Sequence, residues 1–114
     1  MNDCIFCKII NKEIPSKIVF ENDKVIAFED LAPVAPIHIL IVPKKHLASA
    51  VDLNSEEDFE YVKEVYKAAK VIATEMEISE SGFRIVNNCG EDGGQTVKHI
   101  HFHLIGGRKL EGMA

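Results

Sequence analysis

The sequence has 114 residues, which predicts a single domain spanning residues 1–114. Its thirteen Lys and Arg against eighteen Asp and Glu give a net charge of −5, which excludes a basic surface for wrapping nucleic acid but not the binding of one nucleotide. Hydrophobic residues make up 46%, and no apolar run approaches the roughly 20 residues of a membrane span, so neither disorder nor a membrane protein is expected. The absence of a basic and apolar leader predicts a cytoplasmic protein.

The predicted elements begin with a short helix over 3–11 and continue with two extended runs around a polar turn. A β-branched run closed by a proline is the third strand. Ser55, with Asp58 three residues later, predicts a capping box that starts a long helix ending near Glu77. The predicted strands are 17–21, 25–29, 37–42, 83–87 and 98–105. This order predicts an α+β fold with a mainly antiparallel five-stranded sheet, one long helix and a short N-terminal helix.

The long predicted helix carries apolar residues at alternating steps of three and four, which predicts one buried stripe. The members of this stripe are Phe59, Val62, Tyr66, Ala69, Ala73 and Met76. Three further apolar residues, Val65, Val71 and Ile72, lie beyond it. They predict a second apolar surface that packs against a partner.

The last predicted strand carries three histidines at alternate positions, His99, His101 and His103. Because side chains alternate between the two faces of a strand, the histidines are expected on one face and the intervening apolar residues on the other. The apolar face is expected to pack under the long helix. The histidine face is then expected to line a cleft.

Three interpretations of this histidine face are open. It is a solvent-exposed surface without a role, a zinc site made of the three imidazoles, or a catalytic site with an imidazole nucleophile. The first is disfavoured because three of the five histidines in the chain fall at alternate positions of one strand. The third is favoured by the preceding loop, since 93–97 reads GGQTV and glycine N–H groups with neutral side-chain donors suit a phosphate.

The segment 99–105, HIHFHLI, matches the pattern His-φ-His-φ-His-φ-φ of the histidine triad superfamily, in which φ is a hydrophobic residue. The preceding GGQTV resembles the nucleotide-binding, Hint-type branch of that superfamily, to which purine nucleoside phosphoramidases belong. Three further segments resemble the same branch in order: CIFCKII at 4–10, FEDLAP at 28–33 and HILIVPKKH at 38–46. The resemblance covers nearly the whole chain and implies a histidine-triad-like fold.

The resemblance implies hydrolysis of purine nucleoside 5′-phosphoramidates, such as AMP–amine or AMP–lysine conjugates, through a covalent nucleotidyl-histidine. It implies that His101 is the nucleophile, in agreement with the nucleophilicity of a neutral imidazole near pH 7. In this resemblance His103 contacts the phosphate, and His38 matches a further histidine of the catalytic site. The backbone carbonyl of His99 orients the ring of His101 through its other nitrogen.

Further nucleotide-binding residues follow from the resemblance. Asp30 matches an acid that binds ribose hydroxyls, although the local sequence alone favours an Asx-turn. Phosphate contacts are implied for Asn88, Gly94, Gln95, Thr96, His101 and His103. The candidate base-pocket residues, for which ordinary core packing is the alternative, are Phe6, Ile9, Ile10, Phe28 and Leu40.

Cys4 and Cys7 have the C-x-x-C spacing, which in a cytoplasmic chain is more often a metal or redox pair than a disulfide. Some members of the family bind zinc with such a pair, a histidine at the place of His46 and the first triad histidine, here His99. The resemblance therefore implies a structural zinc ion, with a reduced, metal-free pair as the alternative. No organic cofactor is expected, and Cys89 matches no ligand position, which predicts a free thiol.

The resemblance further implies a homodimer whose two sheets join, with the long helices packed across the interface. Many relatives end in a Trp-Pro-Pro-type segment that reaches the partner's site, whereas this chain has no Trp, so a specificity set by such a tail is not expected. Two other functions fit the same residues, a dinucleoside polyphosphate hydrolase and a nucleotide-binding scaffold with little turnover. Neither a nucleic-acid polymer nor a membrane is an expected partner.

Overall fold

The computed structural model describes residues 3–113, so residues 1, 2 and 114 of the predicted domain lie outside the described part. Its helices are α1 (Ile5–Ile10) and α2 (Glu56–Glu75), with a 3₁₀ turn at Ala50–Asp52 between β3 and α2. The strands are β1 (Ile18–Glu21), β2 (Val25–Glu29), β3 (Ile37–Pro43), β4 (Phe83–Val86) and β5 (Phe102–Gly106). They form one sheet in the order β1-β2-β3-β5-β4, and every neighbouring pair is antiparallel. The predicted α+β fold is thereby confirmed.

The two faces of the sheet bury different sets of side chains, as the two-residue period of a strand requires. On one face, odd-numbered residues of β2 and β3 such as Ile39 pack against α2 together with even-numbered residues of β5 such as Leu104, which lies opposite Ile39. On the other face, even-numbered residues of β2 and β3 such as Phe28 and Leu40 pack against α1 through Phe6. Within residues 3–113, no helix has the length and apolar character needed to cross a membrane.

The N-terminus of α2 is held by the predicted capping box. Ser55 accepts a hydrogen bond from the N–H of Asp58, and the Asp58 carboxylate accepts from the N–H of Ser55 in return. Lys45 Nζ donates to Asp58 at 2.7 Å. This bond, with the backbone donors of Asn54 and Ser55, lowers the pKa of Asp58 to about 2. The ion pair therefore fixes the loop that carries the neighbouring His46 to the start of α2.

The predicted stripe on α2 is confirmed in part, at Val62, Ala69, Ala73 and Met76, and differs from the buried face at the other positions. Val65 and Ile72, which were expected on a second surface, are fully buried in the core against the sheet. Phe59 and Tyr66, which were expected in the buried stripe, are about half exposed. Relative to the predicted stripe, the helix is rotated about its axis. The small side chains of Ala68 and Ala69 face the sheet and allow the helix to lie close to it, whereas the aromatic rings lie at the margin of the contact.

The last strand is shorter than predicted, because it begins at Phe102 and not at residue 98. Its pairing with β3 starts at Phe102 opposite Ile41, two residues before β3 ends at Pro43. Before Phe102 the chain is not paired with β3. Instead, the N–H of Ile100 donates a hydrogen bond to the carbonyl of Leu47 at 2.7 Å. Of the three histidines, His103 alone lies within the strand.

Candidate active site

A cavity of about 290 Å³ lies between α1 and the sheet. His101 and His103 are among its lining residues at one end, together with Thr96. Four of the five candidate base-pocket residues also line it, namely Phe6, Ile9, Phe28 and Leu40. The fifth, Ile10, packs against the apolar cluster beneath without lining the cavity. Two histidines therefore meet an apolar pocket, as the sequence predicts.

The ring of His101 is held in one tautomer by the backbone. Its Nδ1 lies 2.7 Å from the carbonyl oxygen of His99, and because a carbonyl can only accept, Nδ1 carries the proton. The neutral ring then has its lone pair on Nε2. The ring edge packs on Phe6 at 4.9 Å between centroids, and Asn87 Nδ2 donates to the His101 carbonyl at 2.9 Å. These contacts present an oriented nitrogen nucleophile at the wall of the cavity.

His38 and His103 form a second, directional hydrogen-bond chain. The backbone N–H of Val34 donates to Nδ1 of His38 at 3.2 Å, so the proton of a neutral His38 is on Nε2. That nitrogen lies 2.9 Å from Nδ1 of His103, which must therefore accept. The remaining proton of a neutral His103 is then on Nε2. The chain thus makes His103 a hydrogen-bond donor beside the nucleophile, which suits contact with a phosphoryl oxygen.

The same surroundings keep His103 uncharged. Burial lowers the pKa of His103 to about 4, and the nearby imidazoles of His101 and His38 lower it in the same direction. At neutral pH the ring is therefore a neutral donor and not a fixed cation.

Asp30 forms the turn that its local sequence favours, and its contact with a ribose stays a prediction. Its Oδ1 accepts from the N–H of Ala32 at 2.8 Å, which is an Asx-type turn. Its Oδ2 lies 3.4 Å from Nε2 of His38, and the residue also lines the cavity. The turn therefore fixes a carboxylate at the position where the resemblance implies a ribose contact.

The glycine-rich loop is organised mainly by its own side chains. Gln95 donates to the carbonyls of Ala48 and Val97 and accepts from the N–H of Gly90. Asn88 donates to the carbonyl of Gly93, where a Cβ would collide with the Cys89 carbonyl. Both side chains thus hold the shape of the loop.

Of the four phosphate-contact residues predicted in this loop, Thr96 lines the cavity, whereas Asn88, Gly94 and Gln95 do not. Gly94 has a φ of +80°, a conformation that other residues rarely adopt. The phosphate contacts of these four residues stay predictions.

A separate cluster brings together the four predicted zinc ligands, Cys4, Cys7, His46 and His99, whose ligand atoms all lie within 4.8 Å of one another. The Nδ1 atoms of the two histidines are 3.0 Å apart, and each approaches a cysteine Sγ at 3.3 Å. His99 Nε2 lies 2.8 Å from the Pro43 carbonyl, so this nitrogen carries the proton and Nδ1 offers its lone pair. Burial lowers the pKa of His99 to about 4, which keeps the ring neutral as a metal ligand must be. The donor set fits a tetrahedral zinc ion.

A second group with ligand-type atoms, Asp30, His38 and His103, fits a metal less well. A metal on Nε2 of His38 would displace the proton that the Val34 N–H assigns to that nitrogen. The metal interpretation of the triad itself also receives no support, because His99, His101 and His103 do not form a ligand cluster in the described residues.

Sequence reasoning did not identify Asn87, which braces the His101 carbonyl, or the Val34 N–H, which fixes the tautomer of His38. Asn87 lies at the end of a strand beside the glycine-rich loop, and this position is the one signal that marks it. The backbone donor of Val34 has no sequence signal, because any residue other than proline supplies it.

Comparison with known proteins places this geometry in a family. Residues 11–110 match the HIT domain family. The chain belongs to the histidine triad (HIT) family. The matched region begins after Cys4 and Cys7, so these two cysteines lie outside it.

Relatives of this HIT protein extend over nearly its whole length. A histidine triad protein from Clostridium difficile is 50% identical, with a TM-score of 0.94 over 100% of this chain and 98% of that one. A HIT family hydrolase from Legionella pneumophila is 46% identical, with a TM-score of 0.92 over 96% of each chain. The purine nucleoside phosphoramidase of Escherichia coli is 45% identical over 108 residues, which are 95% of this chain and 90% of the relative. With these relatives, the chain is classed as a HIT family hydrolase.

Proposed function

We propose that the protein hydrolyses purine nucleoside 5′-phosphoramidates through a nucleotidyl intermediate on His101. The observation that carries the proposal is the 2.7 Å bond from His101 Nδ1 to the His99 carbonyl, which leaves the Nε2 lone pair available at a cavity suited to a nucleoside. The 45% identity to a purine nucleoside phosphoramidase supports the same chemistry.

The reaction has two steps on phosphorus. In the first, Nε2 of His101 attacks the α-phosphorus, the P–N bond of the substrate breaks, and the amine leaves with a proton taken from solvent. In the second, water attacks the same phosphorus, the bond to Nε2 breaks, and the nucleoside monophosphate leaves with the oxygen of water while one proton returns to solvent. The His99 carbonyl stabilises the positive charge that the imidazole ring acquires when Nε2 forms its bond to phosphorus.

The remaining groups bind and orient the substrate. The Nε2–H of His103 donates a hydrogen bond to a phosphoryl oxygen, and Thr96 supplies a hydroxyl beside it. Asp30 accepts hydrogen bonds from the ribose hydroxyls. The base lies between apolar side chains that include Phe6 and Phe28.

The substrate class is tested by comparing kcat/KM for adenosine 5′-phosphoramidate and for diadenosine tetraphosphate. We expect the phosphoramidate to be preferred at least tenfold, because the cavity of about 290 Å³ has room for one nucleoside and not for two. Preference for the dinucleotide would favour the polyphosphate hydrolase instead. Tight AMP binding without turnover of either compound would favour a nucleotide-binding scaffold.

We also propose that Cys4, Cys7, His46 and His99 hold a structural zinc ion. Support comes from the two Nδ1 atoms, which lie 3.0 Å apart beside two thiols, and from the lone pair that His99 Nδ1 offers to this cluster. When bound, zinc would fasten α1 to the loop of His46 and to the segment before β5. It would take no part in the reaction at His101.

We propose, finally, that the protein is a homodimer formed through β4 and the adjoining side of α2. The strand lies at the edge of the sheet, and its first residue, Phe83, lines a surface groove with Tyr66 of α2. These side chains are 38% and 54% exposed, and Phe59, about two turns earlier on the same side of α2, is 51% exposed. An edge strand beside exposed aromatic rings is suited to pair with a second copy of itself.

Sedimentation is expected to give twice the 12.7 kDa chain mass for the native protein and the mass of the monomer for Tyr66→Lys, because a buried lysine would oppose the contact. The matched control is Val71→Lys, at a residue that is 43% exposed on the opposite side of α2. It should remain dimeric. A monomeric native protein, or equal effects of the two substitutions, would contradict this interface.

A further inference from the structure

Ser16 lies on the wall of the cavity, just before β1. Its Oγ is screened from solvent, and within residues 3–113 it is the one buried side-chain nitrogen or oxygen that has no hydrogen-bond partner. Buried hydroxyl groups in folded proteins are nearly always paired, because an unpaired one has lost its water without compensation. A buried hydroxyl without a hydrogen bond at the wall of a binding cavity therefore indicates that a bound ligand supplies the missing hydrogen-bonding atom.

The order of groups along a nucleotide shows which part of the ligand meets Ser16. The phosphate must lie at His101 and His103, and the ribose next to Asp30. The lining that is left for the base is apolar, apart from Ser16 and the pair Lys17 and Glu29. These two engage each other, with Nζ 3.5 Å from Oε2, and the Glu29 N–H donates to the Lys17 carbonyl.

We propose that the Ser16 hydroxyl is a specificity-determining group that hydrogen-bonds the polar edge of the six-membered ring of the nucleobase, an inference that rests on the proposed binding of a nucleotide in this cavity. A serine side chain has three staggered positions about its Cα–Cβ bond, and Oγ has no hydrogen bond to break when it rotates into the cavity. A hydroxyl can both donate and accept, so it can pair with a ring nitrogen, a carbonyl or an amino group of a base.

The test measures ligand binding and not turnover, so that it is independent of the proposed reaction. Calorimetry compares AMP with benzimidazole riboside 5′-monophosphate, which has the shape of a purine nucleotide but lacks the ring nitrogens and amino group of the adenine six-membered ring. The variants are Ser16→Ala and, as a matched control, Ser81→Ala, which removes the hydroxyl of an exposed turn residue remote from the cavity.

Ser16→Ala is expected to weaken AMP binding about 2- to 12-fold, the range for one hydrogen bond, and to change the affinity of the benzimidazole nucleotide less than twofold. Ser81→Ala should change neither. The melting temperature of unliganded Ser16→Ala should equal or exceed that of the native protein, because the substitution removes a hydroxyl without breaking a bond.

Equal weakening of both ligands would overturn the inference, since it would indicate a packing role. Unchanged AMP binding would overturn it as well, and so would a native protein that binds AMP no better than the benzimidazole nucleotide. A protein that fails to cleave phosphoramidates but shows the expected loss with AMP would refute the proposed reaction and leave the role of Ser16 intact.

Discussion

Replacing His101 by alanine is expected to lower phosphoramidate turnover by about 10⁴-fold or more, because the reaction loses its nucleophile. Rapid-quench mass spectrometry of the native protein with adenosine 5′-phosphoramidate should detect a transient adduct with the mass of one AMP. The adduct should be absent from His101→Ala and also from His101→Gln, which retains a side-chain N–H that can bond to the His99 carbonyl.

The two substitutions separate chemistry from structure. His101→Gln fills most of the space of the imidazole, so its melting temperature should stay close to the native value, whereas the alanine variant leaves a cavity beside Phe6. Nearly native turnover by the glutamine variant would refute nucleophilic catalysis by this residue. An adduct that persists in either variant would move the nucleophile to another side chain.

Replacing Cys7 by serine is expected to remove the zinc ion and to lower the melting temperature by at least about 10 °C. A structural zinc site in a small domain contributes on the order of 10 kcal/mol, comparable with the 5–15 kcal/mol stability of a whole domain. Zinc content is measured by plasma mass spectrometry of protein purified without added metal, and stability by thermal unfolding. We expect about one zinc ion per chain in the native protein and none in Cys7→Ser.

Cys89→Ser is the matched control for the zinc site. Cys89 is a free thiol of the glycine-rich loop and lies outside the ligand cluster, so its substitution should leave the zinc content unchanged. Native protein without zinc, together with an unchanged melting temperature of Cys7→Ser, would show that the cluster is a reduced, metal-free pair.

The fold was predictable where local signals and burial agree. The capping box at Ser55 and Asp58 marks the start of α2, and the alternation of Ile39 and Leu40 places them on opposite faces of β3. The rotation of α2 was not predictable from its apolar spacing. Phe59 and Tyr66 have the spacing of core residues, but the alanines set how closely the helix approaches the sheet, and that is a tertiary property.

The resemblance assigns the His99 ring to the zinc cluster, apart from His101 and His103, but the spacing of the three histidines along the strand does not predict this separation. Alternation along a regular strand places His99, His101 and His103 on one face, whereas the chain leaves the ladder at Ile100 and separates the His99 ring from the other two. The cause is a hydrogen bond from Ile100 to Leu47, a residue of a loop whose position depends on the Lys45–Asp58 ion pair. The residue pattern of the strand alone does not predict this hydrogen bond to a distant loop.

Two atoms of His99 serve two different sites. Its carbonyl oxygen orients His101, and its ring faces Cys4, Cys7 and His46. Every amino acid supplies a carbonyl, but the ring belongs to histidine alone. A substitution at position 99 would therefore remove a ligand of the proposed zinc ion but keep the carbonyl oxygen that holds Nδ1 of His101, so the Cys–His cluster and the orientation of His101 can change independently.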